Sequence, residues 1–412
     1  MKIVRYIKQA WAHLRQEPLV GSITVFGTAI AIFLIMLVVM LQQVKYEPFA
    51  PESNRGRMLY AMFVNSRSGN ARRCGPMSVN FAKEIYKSLE TPELVTIHSY
   101  PQHSPLSVEG RSASNGTMLA TDDDFWKIFD FDFIYGKPYT KADLDSRIKK
   151  AVISRSIAIK LFGTDKVTGK EIEINYFKYK VCGIVKDISS FAEQTCADVW
   201  VPYSTTNLAG LTTFGVNGKF KTAILARSRR DFKAIKDECN RKIADYNKKA
   251  TETGYKIEEN NGPYDQKIIA LTNYYGSEPS LAPVRRRQAI IILILLIIPA
   301  INLSSMTQSR LRRQTLEIGI RRAFGCTRAE IFGGIITENF ITTVAAGITG
   351  WLLGVLTEYI SKDITAQMIM HISTFLYALG ICFILNMLYS IIPAWKTSKI
   401  SIINAIEGIS GK

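Results

Sequence analysis

The chain has 412 residues, 47% of them hydrophobic and 21% charged, and its 52 Lys and Arg exceed its 35 Asp and Glu for a formal net charge of +17. That much apolar content excludes a disordered chain, and uncharged runs of bilayer length exclude a purely soluble one. Outside residues 47–287, fifteen Lys and Arg stand against seven Asp and Glu, mostly flanking apolar runs, which is the pattern for phospholipid and not for nucleic acid.

Residues 1–18 place Ile3, Ile7, Trp11 and Leu14 at helical spacing, with Arg5, Lys8 and Arg15 on other faces. This predicts an amphipathic helix lying on the cytoplasmic leaflet. Residues 19–41 carry no charge, and as a helix they reach roughly 34 Å, enough to cross a bilayer. The length of the run, followed by Gln42, Gln43 and Lys45, predicts a retained anchor and not a cleaved signal.

Residues 42–288 are polar and read as α+β. Strand character lies in 57–64, 151–154, 170–175, 179–185 and 224–227, and Trp200 to Tyr203 suggests a strand running into a turn. Residues 80–89 and 231–248 read as amphipathic helices. A helix, several strands and another helix predict a two-lobed layered domain.

Within this insert, Gly163 to Lys170 approaches a phosphate-binding loop. It has one residue too many between Gly163 and Gly169, and Glu171 stands where a hydroxyl is needed, so a turn between helix and strand is expected. Asp122, Asp123 and Asp124 precede an apolar pattern and read as a helix start, with a cation site left open. His98 and His103 read as parts of a surface loop. No zinc spacing, His-Glu-x-x-His or Gly-x-Ser-x-Gly motif occurs. Cys74, Cys182, Cys196, Cys239, Cys326 and Cys382 form no Cys-x-x-Cys pair and read as small buried residues, with a Cys182–Cys196 bridge left open.

The second span, 289–307, contains Pro299, with Asn302, Ser304 and Ser305 able to satisfy backbone groups freed by a kink. Residues 308–330 are rich in arginine. Leu316, Ile320 and Ala323 share a helical face, Glu317 and Arg321 are spaced as a helix pair, Gly325 is a helix stop, and Thr327 with Glu330 fits a capping box. A short helix at the membrane surface follows, and a basic loop that only sets topology remains the alternative. The third span, 331–360, holds Gly347, Gly350 and Gly354 for close packing and Glu338, an ionisable group that is costly in hydrocarbon. An outer loop, 361–372, leads to the fourth span, 373–392, and a cytoplasmic tail, 393–412. Lys and Arg placement puts both termini and the 308–330 link in the cytoplasm and residues 42–288 outside; Arg285 to Arg287 oppose this, as a long translocated domain tolerates.

The stretch EIGIRRAFGCTRAEIFGGIITENF, residues 317–340, resembles the signature of the MacB/FtsX-type ABC transporter permease family. The tail from Pro393 to Lys396 and Ile402 to Ile406 is similar to that family's ending. Tyr135 to Thr140, Ala151 to Ser154, Lys160 to Gly163, Gly169 to Ile172 and Tyr179 to Asp187 are similar to its periplasmic core domain. Residues 204–223 and 255–280 fit no part of the pattern. The resemblance implies an α-helical membrane protein with four transmembrane helices and a large extracytoplasmic α+β domain inserted between helices 1 and 2, in the bacterial inner membrane. It implies a permease without its own nucleotide site, coupling ATP hydrolysis by a separate cytoplasmic ABC ATPase to periplasmic change, in a mechanotransmission mode, for export of a peptide or toxic compound. Signalling to a cell-wall hydrolase or sensor kinase and lipoprotein extraction are the alternatives. The implied partners are that ATPase, a second permease copy or paralogue, membrane lipid, and a periplasmic adaptor with an outer-membrane channel. No cofactor is implied beyond the partner's ATP, and no metal. By the same resemblance Glu317, Ile318, Gly319, Ile320, Arg321, Arg322, Ala323, Phe324 and Gly325 would form the ATPase-coupling element, with Ile320 and Phe324 entering a groove and Arg321 and Arg322 pairing with its acidic rim or with lipid headgroups. Glu338 matches a family glutamate, and Asn302 is a further intramembrane polar residue.

Overall fold

A computed structural model describes residues 18–68, 71–212, 215–249, 256–258, 262–272, 279–291, 293–294, 318–360 and a few positions between 375 and 395. The expected helix over 1–18 and most of the expected second and fourth spans lie outside the described residues. The chain divides into two compact units, Met1–Gln43 with Arg285–Lys412, and Val44–Val284.

Helix α1 (Pro18–Tyr46) opens the described chain. The domain then runs through β1 (Met58–Ala61), β2 (Val64–Ser68), β3 (Ala71–Gly75), α2 (Val79–Ile85), β4 (Leu94–Ser99), β5 (Gln102–Ser107), β6 (Ser114–Thr121), α3 (Phe125–Ile128), β7 (Phe133–Gly136), α4 (Lys141–Asp145), β8 (Lys150–Ser154) and α5 (Arg155–Phe162). The hairpin β9 (Glu171–Ile174) and β10 (Phe177–Val185) follows, then β11 (Val199–Pro202), β12 (Phe220–Leu225), α6 (Phe232–Lys249), β13 (Lys256–Ile257), β14 (Tyr264–Asp265) and α7 (Gln266–Thr272). Serines and a threonine start several helices: Ser78 and Ser154 accept the amides of Phe81 and Ile157, and Thr140 forms a capping box with Asp143.

Among the described residues, eleven strands form one mixed sheet in the order β11-β8-β10-β9-β5-β6-β4-β12-β1-β14, with β7 beside β10. An additional pairing of β11 with β6 closes the first six strands into a ring. Successive residues of a strand point to opposite faces, and here both faces are covered. Leu59, Ala61, Ala151, Ile153, Val199 and Val201 enter one apolar cluster, whereas Met58, Tyr60, Val152 and Trp200 enter the other. The two clusters lie on opposite faces of one continuous sheet within a single compact unit, where two lobes were expected. A separate small sheet, β13-β2-β3, accounts for a second difference: the strand expected over 57–64 ends at Ala61, and Val64 begins a strand of the other sheet.

In the first unit, helix α8 (Arg328–Ile360) joins α1 as one of two helices, among the described residues, long and apolar enough to cross a membrane. Ala29, Ile32, Ile35 and Met36 of α1 pack with Ala346, Trp351 and Phe375. A methyl group on Gly350 would lie 2.8 Å from the carbonyl oxygen of Ala29, and one on Gly347 would lie 2.5 Å from a Leu379 methyl, so these small residues do permit the contact. The hydroxyls of Thr337, Thr343, Thr349 and Thr357 donate to carbonyls one turn back, which hides them within α8.

Candidate functional site

The segment around 318–335 is a helical hairpin. Residues 318–323 are helical, and two bonds close the turn: Cys326 N–H donates to Arg321 O and Gly325 N–H to Arg322 O, both at 3.0 Å. This is a Schellman closure, and Gly325 supplies the left-handed residue it needs, with φ of 90°. Thr327 Oγ1 accepts the Glu330 amide at 3.3 Å while Glu330 Oε2 accepts the Thr327 amide at 3.1 Å, the reciprocal box that starts α8.

Ile318 is buried against Ile331 and Ile335, with Cys326 and Phe332 at the edge, so the short helix is held against the start of α8. Gly319 is also buried, Arg321 and Arg322 are half-buried, and Ala323 and Gly325 are exposed. Ile320 is 45% and Phe324 89% exposed. The apolar face expected from Ile320 and Ala323 is thus turned to the outside, and Ile318 does the packing. Glu317, Leu316 and Asn302 lie outside the described residues, and Glu338 falls on α8 with its side chain outside them.

In the domain, α5 ends at Gly163 in the left-handed conformation, Lys170 lies over the Phe162 ring, and β9 begins at Glu171. A phosphate loop opens a helix after its Gly-Lys; this one opens a strand, on the rim of a cleft of about 560 Å³ where Arg111, Lys170 and Lys178 alternate with Glu109, Glu171 and Glu173. The acidic triplet has its oxygens engaged. Asp122 accepts from Thr96 Oγ1 and from the amides of Ile97 and Phe125 and pairs with Lys87, which also meets Asp124, while Lys127 meets Asp123 and Asp124. The helix-start reading holds, with Asp122 and not Asp124 accepting the Phe125 amide. Cys182 and Cys196 carry free thiols; Cys182 donates to Ala151 O, and burial pushes its pKa up to about 12.

His98 corrects the sequence reading. It sits on β4 between β12 and β6, fully buried against Phe125 and Phe129. Burial, reinforced by the nearby Lys221, holds its imidazole well below the usual histidine range. Lys221 faces it from β12 and is itself enclosed, and burial lowers its ammonium to about 8. Sequence reasoning also passed over Glu52 and Arg55, an ion pair with no exposure on either side chain. Charged residues three apart ordinarily signal a solvated turn, and nothing local announces their burial.

Residues 22–242 match the family described as MacB-like periplasmic core domain, and residues 289–402 match the FtsX-like permease C-terminal region. The macrolide export ATP-binding/permease protein MacB of Bdellovibrio bacteriovorus is 24% identical over 277 residues, covering 66% of this chain and 41% of that protein. The chain thus spans about two fifths of that relative's length. An uncharacterized ABC transporter permease of Bacillus subtilis, YvrN, is 23% identical over 434 residues, covering 98% of this chain and 100% of the relative. A crystal structure of the periplasmic region of MacB from Actinobacillus actinomycetemcomitans is similar at 14% identity over 49% of this chain and 88% of that one, with a TM-score of 0.36.

Proposed function

The chain belongs to the MacB/FtsX-type family of ABC transporter permeases, and from that membership we propose that it is a permease subunit driven by a partner ABC ATPase and dedicated to export. The observation that carries the proposal is the hairpin at 318–335, which presents Ile320 and Phe324 to the outside on a helix fastened by Ile318 from behind. Exposed apolar side chains on a rigid support are what a protein groove requires. Arg321 and Arg322 beside them supply charge for an acidic rim or for lipid headgroups. In this reading ATP binding closes the partner, the short helix moves with it, and α8 follows through Ile318, Ile331 and Ile335. Displacement of α8 reaches α1 where Gly350 meets Ala29, a transfer between packed elements with discrete arrangements.

Four spans, cytoplasmic termini and a periplasmic 42–288 complete the proposal, with two permease copies serving two ATPase subunits. The cargo is a peptide, toxic compound or similar molecule handled on the periplasmic side. ATP stays with the partner, and this chain performs no catalysis.

The test is a tagged purification from membranes in mild detergent, analysed by mass spectrometry. An ABC ATPase is expected with the wild type and is lost with Arg321→Glu/Arg322→Glu and with Phe324→Ala. An ATPase that stays bound in all variants sinks the assignment of the coupling site; a wild-type chain that brings down no ATPase sinks the permease reading.

A further inference from the structure

Where the first-span helix ends, the domain holds it with buried charge. The last carbonyls of any helix lack partners within it. Arg55 Nη1 donates to Val44 O at 2.8 Å and to Glu47 O at 3.0 Å, its Nη2 donates to Phe191 O at 2.7 Å, and its Nε meets Glu52 Oε2 at 2.7 Å. The guanidinium also lies 4.1 Å from the centre of the Phe49 ring. Glu52 Oε1 in turn accepts the amides of Gln194 and Thr195 and the Thr195 hydroxyl, at 2.9, 3.2 and 3.0 Å. A second side chain, Gln266 at the start of α7, donates to Lys45 O at 2.9 Å.

The chain of contacts continues inward. Gln194 Oε1 accepts Lys221 Nζ at 2.7 Å, which carries the connection to β12 in the main sheet. Lys221 lies over the Tyr100 ring, and the Tyr100 hydroxyl donates to Met62 O. Apolar side chains of the same volume would fill this space without the desolvation cost of two ions. What the ions add is direction: a planar fork bonded to three carbonyls and a carboxylate fixes both the rotation and the axial position of the helix end.

We propose that Glu52 and Arg55, with Gln266, form the joint through which movement of the first-span helix is delivered to residues 191–195 and on to β12. The proposal rests on the permease reading for the source of the movement. Glu52 and Arg55 are positioning residues in it, acting through the carbonyls and amides they hold.

The experiment is hydrogen exchange on the full chain in lipid nanodiscs. Glu52→Leu/Arg55→Met removes both charges together, and Arg55→Lys keeps the charge while losing the fork. Without nucleotide, the amides of 44–49 and 191–196 are expected to exchange about tenfold faster in both variants, with β10 unchanged. Rates that stay at the wild-type value in Arg55→Lys overturn the joint, and that variant decides the matter if the double variant also loosens β10. With the co-purifying ATPase trapped by ATP and vanadate, the wild type is expected to change its exchange over 191–196, and the double variant to hydrolyse ATP without that change. A double variant that responds as the wild type does overturns the proposal. A wild type that binds no ATPase defeats the permease reading, while the nucleotide-free rates still decide whether the joint exists.

Discussion

Lys221 makes the stability of the domain depend on pH in a direction opposite to that of most ion-paired lysines. Burial lowers its pKa from 10.5 to about 8, so between those values the unfolded chain holds more protons than the folded one. Stability therefore rises with pH across that window and is lost as pH falls through about 8. Urea unfolding of the full chain, followed by tryptophan fluorescence, should show a gain of about 2 kcal/mol between pH 7 and pH 10. Lys221→Met should flatten that slope. The thiols give a second residue-level expectation. Cys182 and Cys239 are both held at about 12 by burial, so at pH 7.5 they should resist maleimide until the chain is denatured, whereas exposed Cys74 reacts in the native state, as peptide mass spectrometry would show. These residues were the least legible in the sequence. Arg55 reaches a carbonyl 136 positions away and Glu52 an amide 142 positions away, and no window of local pattern contains both ends of such a bond. His98 looked like a loop residue because spacing to His103 and nearby prolines cannot tell a central strand from an edge.

Helices and strands with one buried face were readable, because their apolar residues recur at the period of the element. The expected helix over 231–248 corresponds to α6, Phe232–Lys249, and the expected strand over 151–154 to β8, Lys150–Ser154. The Gly325 stop and the Thr327–Glu330 box were also readable, since helix ends obey local chemistry. Strands buried on both faces lack alternation, which is why β1 and β11 showed only as apolar runs with uncertain ends. The contact between α1 and α8 gives a prediction at this scale. Gly350→Ala sets a methyl against a backbone oxygen that cannot turn aside and should cost about 1–3 kcal/mol, seen as a lower unfolding temperature in detergent. Gly333→Ala, where nothing lies within 4 Å, should leave that temperature unchanged or raise it.

For the whole molecule, the family pattern assembled what separate elements could not: a region like the MacB periplasmic core domain and an FtsX-like permease region on one chain. The orientation it implies is directly measurable. In intact cells with a permeable outer membrane, a membrane-impermeant maleimide should label Cys74, while a cysteine placed at exposed Ala323 in a chain lacking other cysteines should be labelled only after the inner membrane is opened. Labelling of both from outside would reject the proposed topology. The strand ring bears on what happens when such domains crowd together. Sheet edges are templates on which a neighbouring chain can zip up backbone to backbone. Closing β11 onto β6 removes the edge that β11 would otherwise present, β7 beside β10 offers four residues, β14 offers two, and β3, the rim of the small sheet, carries exposed Arg72 and Arg73. Copies that crowd together thus find only short or charged strand edges among the described residues, which gives the domain little template on which to aggregate.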